Sequence, residues 1–326
     1  MDLPTLAIAA LGGTVSMQPR NFGEGVIPTI SGDTLLDAVP ELKTLARINV
    51  ETPGLHPSAS LSFDFLLRVL CWANDQVENG ATAVVITQGT DTLEETAAFF
   101  HHLWSHEAPL ILTGAMRSAN QAGADGPANL LDACRVALSQ SSRCRGVQVV
   151  INGQVHHASV VRKSDSLALH AFTSPMVGPT GILLEGQVRY FHGPIKRQLL
   201  PLPQQTTQQV ALLESTLSAD TLVLEKIVEL GYDGLVIAGF GAGHVSEHWA
   251  EAIAKIATKI PVIIATRTGS GPTAQASYGF IGSEMDLIRR GALMAGFLCP
   301  RKARILLWLL IGCQRLEELQ SFLDEG

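Results

Sequence analysis

Two threonines in this chain stand where a hydroxyl could do chemistry. Thr90 follows the β-branched run Val84-Val85-Ile86 and the break Gln88-Gly89, with Asp91 beside it. Thr14 follows the apolar run Leu6 to Ala10 and the pair Gly12-Gly13. Each ends a strand signal, and the glycines allow a ligand to approach backbone amides closely. Open α/β sheets bind ligands at the carboxyl ends of parallel strands, over helix N-termini. The residues alone leave a plainer reading open: an ordinary strand-to-helix turn whose acids and hydroxyls only cap the helix. A nucleotide turn is weaker still, because no GxGxxG accompanies Gly12-Gly13.

The elements that must hold these groups follow from periodicity. A strand buried on both faces reads as a continuous apolar run, as 83–87 does. Thr92 with Glu95 three residues on forms a capping box, and Glu94 and Glu95 put negative charge in the first turn. Leu93, Ala97, Phe100 and Trp104 recur at helical spacing and predict a helix over 92–104. His101, His102 and His106 fall at its far end and read as solvated. Strand and helix signals then alternate over 110–113, 127–138 and 147–151, which predicts an α/β protein with a doubly wound, mostly parallel sheet. Residues 192–209 hold three prolines and no periodicity and read as a linker. The expected division is a larger N-terminal domain over 1–193, a linker over 194–209 and a smaller C-terminal α/β domain over 210–326. In the latter, strands are expected at 234–238 and 262–265, and helices at 246–256, 303–310 and 316–323. Residues 17–29, rich in glycine and proline, form a candidate lid beside Thr14.

The stretch Gly89 to Ala97, GTDTLEETA, resembles the second signature of the L-asparaginase and glutaminase amidohydrolase family, and Leu11-Gly12-Gly13-Thr14-Val15 resembles the first. The likeness continues in order through Leu112 to Arg117, Ala124 to Leu130, Lys163 and Pro300 to Leu307. It implies amide hydrolysis through an alcohol, which needs a nucleophile, a base, oxyanion donors and a substrate anchor. By resemblance Thr14 is the nucleophile that forms an acyl-enzyme, and Lys163 acts as base through Thr90, with Asp91 in the same group. Without the resemblance, Lys163 beside Arg162 reads as a solvated basic pair. Asp91 and Glu284 would hold the α-ammonium of an amino-acid amide, and Ser58 with backbone amides its α-carboxylate. Glu284 is reached by counting back from Leu298-Cys299-Pro300, and in the family this glutamate enters from a neighbouring subunit. The resemblance therefore implies a homodimer or homotetramer with sites at the subunit interface. It also implies L-asparagine as first substrate, L-glutamine or another small amino-acid amide as the alternative, and neither cofactor nor metal.

Composition narrows the partners. With 46% hydrophobic and 16% charged residues the chain can bury large cores. A net charge of -7 leaves no polybasic surface, so nucleic acid and anionic membrane are not expected partners. Five cysteines without a CxxC fit reduced thiols, and no apolar run reaches spanning length. Without a basic leader at Met1, the expected location is cytoplasmic.

Departures from the family pattern keep other classes in view. The family carries a tyrosine in the loop near its nucleophile, where this chain has Gly25, and Tyr278 is the substitute nearest to Glu284. Ala59 replaces a common glutamine, and Ala242 and His244 replace asparagines. A non-catalytic amino-acid-binding sensor is one rival, opposed by the retention of Thr14, Thr90, Asp91 and Lys163 together. A zinc hydrolase is another, since His244, Glu247 and His248 match H-x-x-E-H. That pattern needs both histidines on one helical face, and His244 is expected to precede the helix.

Overall fold

The computed structural model describes residues 3–13, 17–19, 26–28, 34 and 37–325. The chain divides into two compact units, Met1–Leu199 and Leu200–Gly326.

Apolar runs build the first unit. β1 (Thr5–Ala10), β4 (Arg47–Glu51), β5 (Ala83–Thr87), β6 (Leu110–Thr113) and β7 (Val147–Ile151) form a parallel sheet in the order β4-β1-β5-β6-β7. All five residues of β5 are buried, as both-face coverage requires. Full burial of side chains such as Val85 and Ile86 is worth roughly 1.5–3 kcal/mol each, which fixes this strand in the sheet interior. α2 (Phe63–Glu78) begins at Ser62, whose hydroxyl accepts from Phe65 N at 3.2 Å, and buries Phe65, Leu66, Val69, Leu70 and Ala73. α3 (Leu93–Leu103) and α4 (Gly126–Leu138) follow β5 and β6. Leu6, Ile8, Val85 and Ile111 share one core with Leu130, Ala133 and Val136 of α4. The alternate residues Ala7, Val84 and Ile86 are equally buried on the other face, so the sheet is doubly wound as expected.

The sheet also has a flank that periodicity does not predict. β8 (Gln154–His157), β11 (Gly181–Leu184) and β12 (Gln187–Tyr190) extend it antiparallel beyond β7. Between them β9 (Arg162–Lys163) pairs with β10 (Phe172–Thr173). In the candidate lid, β2 (Met17–Pro19) and β3 (Val26–Pro28) pair antiparallel, and the residues between them, Gly25 included, lie outside the described residues. The short helix α1 covers Leu42–Leu45.

The second unit is a smaller parallel sheet in the order β13 (Val210–Glu214), β14 (Gly234–Gly239), β15 (Val262–Thr266) and β16 (Leu293–Met294). Its helices are α5 (Leu222–Lys226), α6 (Glu247–Ala257), α7 (Glu284–Arg289), α8 (Pro300–Gly312) and α9 (Leu319–Glu325). The helix expected over 316–323 is a 3₁₀ turn at Leu316–Glu318 running into α9. Among the described residues no helix is long and apolar enough to cross a membrane.

Candidate active site

The chain passes from β1 to β4 on one side and returns to β5 on the other, so the strand order reverses between β1 and β5. A crevice at the carboxyl ends of such a pair is the general ligand site of open α/β sheets. The turns that follow both strands meet there. Leu11 N donates to Thr87 O at 2.9 Å, and Gln88 N donates to Thr113 O at 3.1 Å. A methyl group on Gly13 would fall 2.0 Å from Gly89 N, and φ of +82° there favours glycine. One on Gly89 would fall 2.7 Å from Ser58 Oγ, and one on Gly114 2.6 Å from Gln88 O. The glycines of both signatures are thus required by close contact, with the Gly89 backbone at Gly13 and with the Ser58 side chain at Gly89. Thr14, next after Gly13, lies outside the described residues.

Thr90 opens the 3₁₀ turn Thr90–Thr92 ahead of α3 and is buried. Lys163 arrives from the β9–β10 pair, far along the chain. Its Nζ donates to Thr90 Oγ1 at 2.9 Å and to Asp91 Oδ1 at 2.7 Å. The lysine side chain is 14% exposed and that of Asp91 71% exposed, so the pair opens to solvent on the acid side. An ion pair with so exposed a partner contributes little stability, about 0–1 kcal/mol, and serves chiefly to aim the amine. Asp91 Oδ2 has no partner among the described residues and remains able to accept from a ligand. Ser58 is buried in the turn Ser58–Ser60, where Ala59 is exposed, and its carbonyl accepts from Thr92 Oγ1 at 3.0 Å.

Thr92 therefore does not complete the expected capping box: it makes no side-chain cap, and its hydroxyl joins the Ser58 turn instead. Glu94, read as a helix-dipole acid, is buried and accepts from Lys163 N at 2.8 Å, anchoring the segment that carries the lysine. Two further signature stretches do similar work. Asp125 accepts from Met116 N and Arg117 N, and Asn129 Nδ2 donates to Gly114 O at 2.9 Å, which fixes the turn after β6 against Thr90. The histidines near the end of α3 also differ from expectation, since His101 is buried and packs edge-on against His157.

Glu284, in the second unit, is surrounded by its own loop. Its side chain has no exposed surface. Oε1 accepts from Ser277 N and Tyr278 N, both at 2.6 Å, and Oε2 pairs with His244 Nε2 at 3.2 Å. Burial raises its pKa, but the two backbone donors and His244 outweigh that, and the carboxyl is held below its ordinary value. A carboxylate so engaged holds its own loop within the one chain described. His244 precedes α6, bridging to Phe240, so it does not share a helical face with His248 as the zinc pattern requires. Tyr278 is half-exposed with its ring 4.9 Å from that of His244.

A buried hydroxyl, an amine and an open carboxylate thus meet at the switch point of a doubly wound sheet. Residues 5–196 match the model for "Asparaginase, N-terminal", and residues 209–322 match "Glutaminase/Asparaginase C-terminal domain". The chain belongs to the asparaginase family and is an asparaginase-type amidohydrolase. It is similar to a "Probable L-asparaginase" of Deinococcus radiodurans, 35% identical over 100% of this chain and 98% of the relative. A "Probable L-asparaginase periplasmic" of Haemophilus influenzae is 33% identical over 95% of this chain and 89% of its own. The crystal structure of a "Probable Cytoplasmic L-asparaginase" from Campylobacter jejuni superposes with a TM-score of 0.90, at 29% identity over 99% of this chain and 100% of that one.

Proposed function

We propose that the protein hydrolyses L-asparagine to L-aspartate and ammonia through a threonine acyl-enzyme, with L-glutamine as second substrate. The observation that carries this reading is the contact of Lys163 Nζ with both Thr90 Oγ1 and Asp91 Oδ1 at the switch point. In its neutral form the amine takes a proton through the Thr90 hydroxyl, so that the Thr14 oxygen attacks the amide carbon. The proton returns to the leaving nitrogen as ammonia departs, and water then cleaves the ester by the same relay. Asp91 Oδ2 accepts from the substrate ammonium, and the Ser58 turn donates to its carboxylate.

Two further parts of the reading concern setting. Assembly as a homodimer or homotetramer is supported by Tyr278, Phe280, Ile281, Met285 and Ile288, which stand 41–51% exposed within one short stretch of the second unit. A cytoplasmic location is supported by the name of the Campylobacter neighbour and by five cysteines that form no disulfide. Ammonia release from asparagine, glutamine and other amino-acid amides tests the chemistry, with Thr14→Val and Thr90→Val alongside. Each variant is expected to lose turnover and keep its fold, and their effects should be far from additive. Near wild-type activity in either one would overturn the mechanism.

A further inference from the structure

Lys163 is gripped at both ends by one short stretch of chain. Its Nζ donates to Thr90 Oγ1 at 2.9 Å, and its backbone N donates to Glu94 Oε2 at 2.8 Å. Thr90 opens the 3₁₀ turn, and Glu94 lies in the first turn of α3 that follows it. The lysine itself comes from far along the chain, out of the pair β9–β10. In an antiparallel pair alternate residues turn their N–H groups away from the partner strand. Ser164 N bonds across to Ala171 O at 2.7 Å, so Lys163 N, one residue earlier, faces outward, and the Glu94 carboxylate meets it there. Glu94 is 3% exposed, and its place on a packed helix gives the contact a rigid base. A lysine side chain is a flexible stem with much rotamer freedom. Fixing its backbone against α3 makes the approach of the amine to the Thr90 hydroxyl a local property of residues 90–94.

We propose that Glu94 is a positioning residue of the proton relay, acting through the Lys163 backbone to set the distance between the amine and Thr90 Oγ1. The role rests on the proposed amidase relay. It needs an acceptor oxygen at the right reach more than it needs a charge, because an amide oxygen also accepts from a backbone N–H. That separates it from a glutamate that serves only the helix dipole, where the charge is what counts.

Steady-state ammonia release by the full chain, with the amide that the wild type hydrolyses, tests the role. Glu94→Gln keeps an oxygen of the same reach, and its kcat should stay within about threefold of wild type. Glu94→Asp keeps the charge but draws the oxygens back by one methylene. Its kcat should fall about a hundredfold with KM changed less than about threefold, because a small misplacement of reacting groups costs that much. Glu94→Leu, with no acceptor, should fall at least as far. Melting curves confirm that the variants are folded, and should Glu94→Asp or Glu94→Leu fail to fold, the other decides. Combined with Lys163→Met, the same change should add little further loss, since the anchor has no amine left to aim. A purely structural glutamate would lower kcat by the same factor with or without the amine. That result, wild-type kcat in the folded Glu94→Asp or Glu94→Leu protein, or an equal loss in Glu94→Gln, would overturn the role and leave the relay standing. A wild type that releases no ammonia, or Lys163→Met at full turnover, would overturn the relay and this role together.

Discussion

Lys163 in the first unit and Glu284 in the second are both charged groups withdrawn from solvent, yet their surroundings differ in one decisive way. Glu284 has its oxygens taken by Ser277, Tyr278 and His244. The Lys163 group is unfinished: the amine points at a hydroxyl that can pass on a proton, and Asp91 keeps a free oxygen facing solvent. A saturated carboxylate stabilises a loop, whereas an unsaturated relay can bind and transfer. Burial alone does not separate the two; the count of unmade hydrogen bonds does.

The largest expected effect breaks the relay. Lys163→Met keeps the length of the side chain and removes the amine, so turnover of asparagine should fall on the order of a thousandfold. Stability should change by less than about 1 kcal/mol, because the lost ion pair faces solvent. Ammonia release with a thermal scan measures both, and a variant that kept turnover but melted far lower would invert the comparison.

Gly13→Ala comes next. Its methyl would lie 2.0 Å from Gly89 N at a φ of +82°, so the two turns must part. A left-handed alanine costs roughly 1–2 kcal/mol before the overlap is counted. Turnover is expected to drop about a hundredfold, since small misplacements of reacting groups cost that much. If Gly13→Ala were as active and stable as the wild type, the backbone contact between the signatures would not be what orders the site.

Glu284→Gln probes the saturated side of the comparison, and there stability should move more than turnover. A carboxylate whose pKa is lowered in the folded protein stabilises it above the unfolded value, about 4.3, and loses that contribution as pH falls through the lower folded value. The gap in melting temperature between wild type and Glu284→Gln should therefore be full at neutral pH, begin to narrow below the unfolded value and close only below the lower folded one. At neutral pH the loss is expected to be about 1–3 kcal/mol, the cost of buried donors left with a weaker acceptor. A gap independent of pH would mean that the charge is not what matters.

How much of this could be read from the residues depends on where each signal resides. β1 and β5 were legible because strands covered on both faces are continuous apolar runs, and the glycines after them stand in plain sequence. The antiparallel flank was not, because β8, β11 and β12 are four residues each, and β12 alternates half-buried with exposed positions. Lys163 was reached only through family likeness; it lies in a two-residue strand whose place is set by Glu94, 69 positions earlier. Glu94 itself carried a local signal for a helix N-terminus, and that signal hid a long-range role. Glu284 was found by counting, and counting cannot show that its acceptors are already filled by backbone seven residues back.

The smallest expected effect concerns Thr92, where the capping reading and the observed contact diverge. Its hydroxyl donates to Ser58 O at 3.0 Å and makes no cap on α3. Valine has the same shape without the hydroxyl, so Thr92→Val should cost about 1 kcal/mol for one partly buried hydrogen bond. Because Ser58 is proposed to meet the substrate carboxylate, the variant should raise KM for asparagine a few-fold and leave kcat nearly alone. Thr92→Ser keeps the hydroxyl and should restore KM. A cap would behave otherwise: serine caps at least as well as threonine, valine caps poorly, and neither change would reach the substrate. A fall in melting temperature with unchanged KM in Thr92→Val would place the hydroxyl in the helix start alone, and would remove Ser58 from the reach of α3.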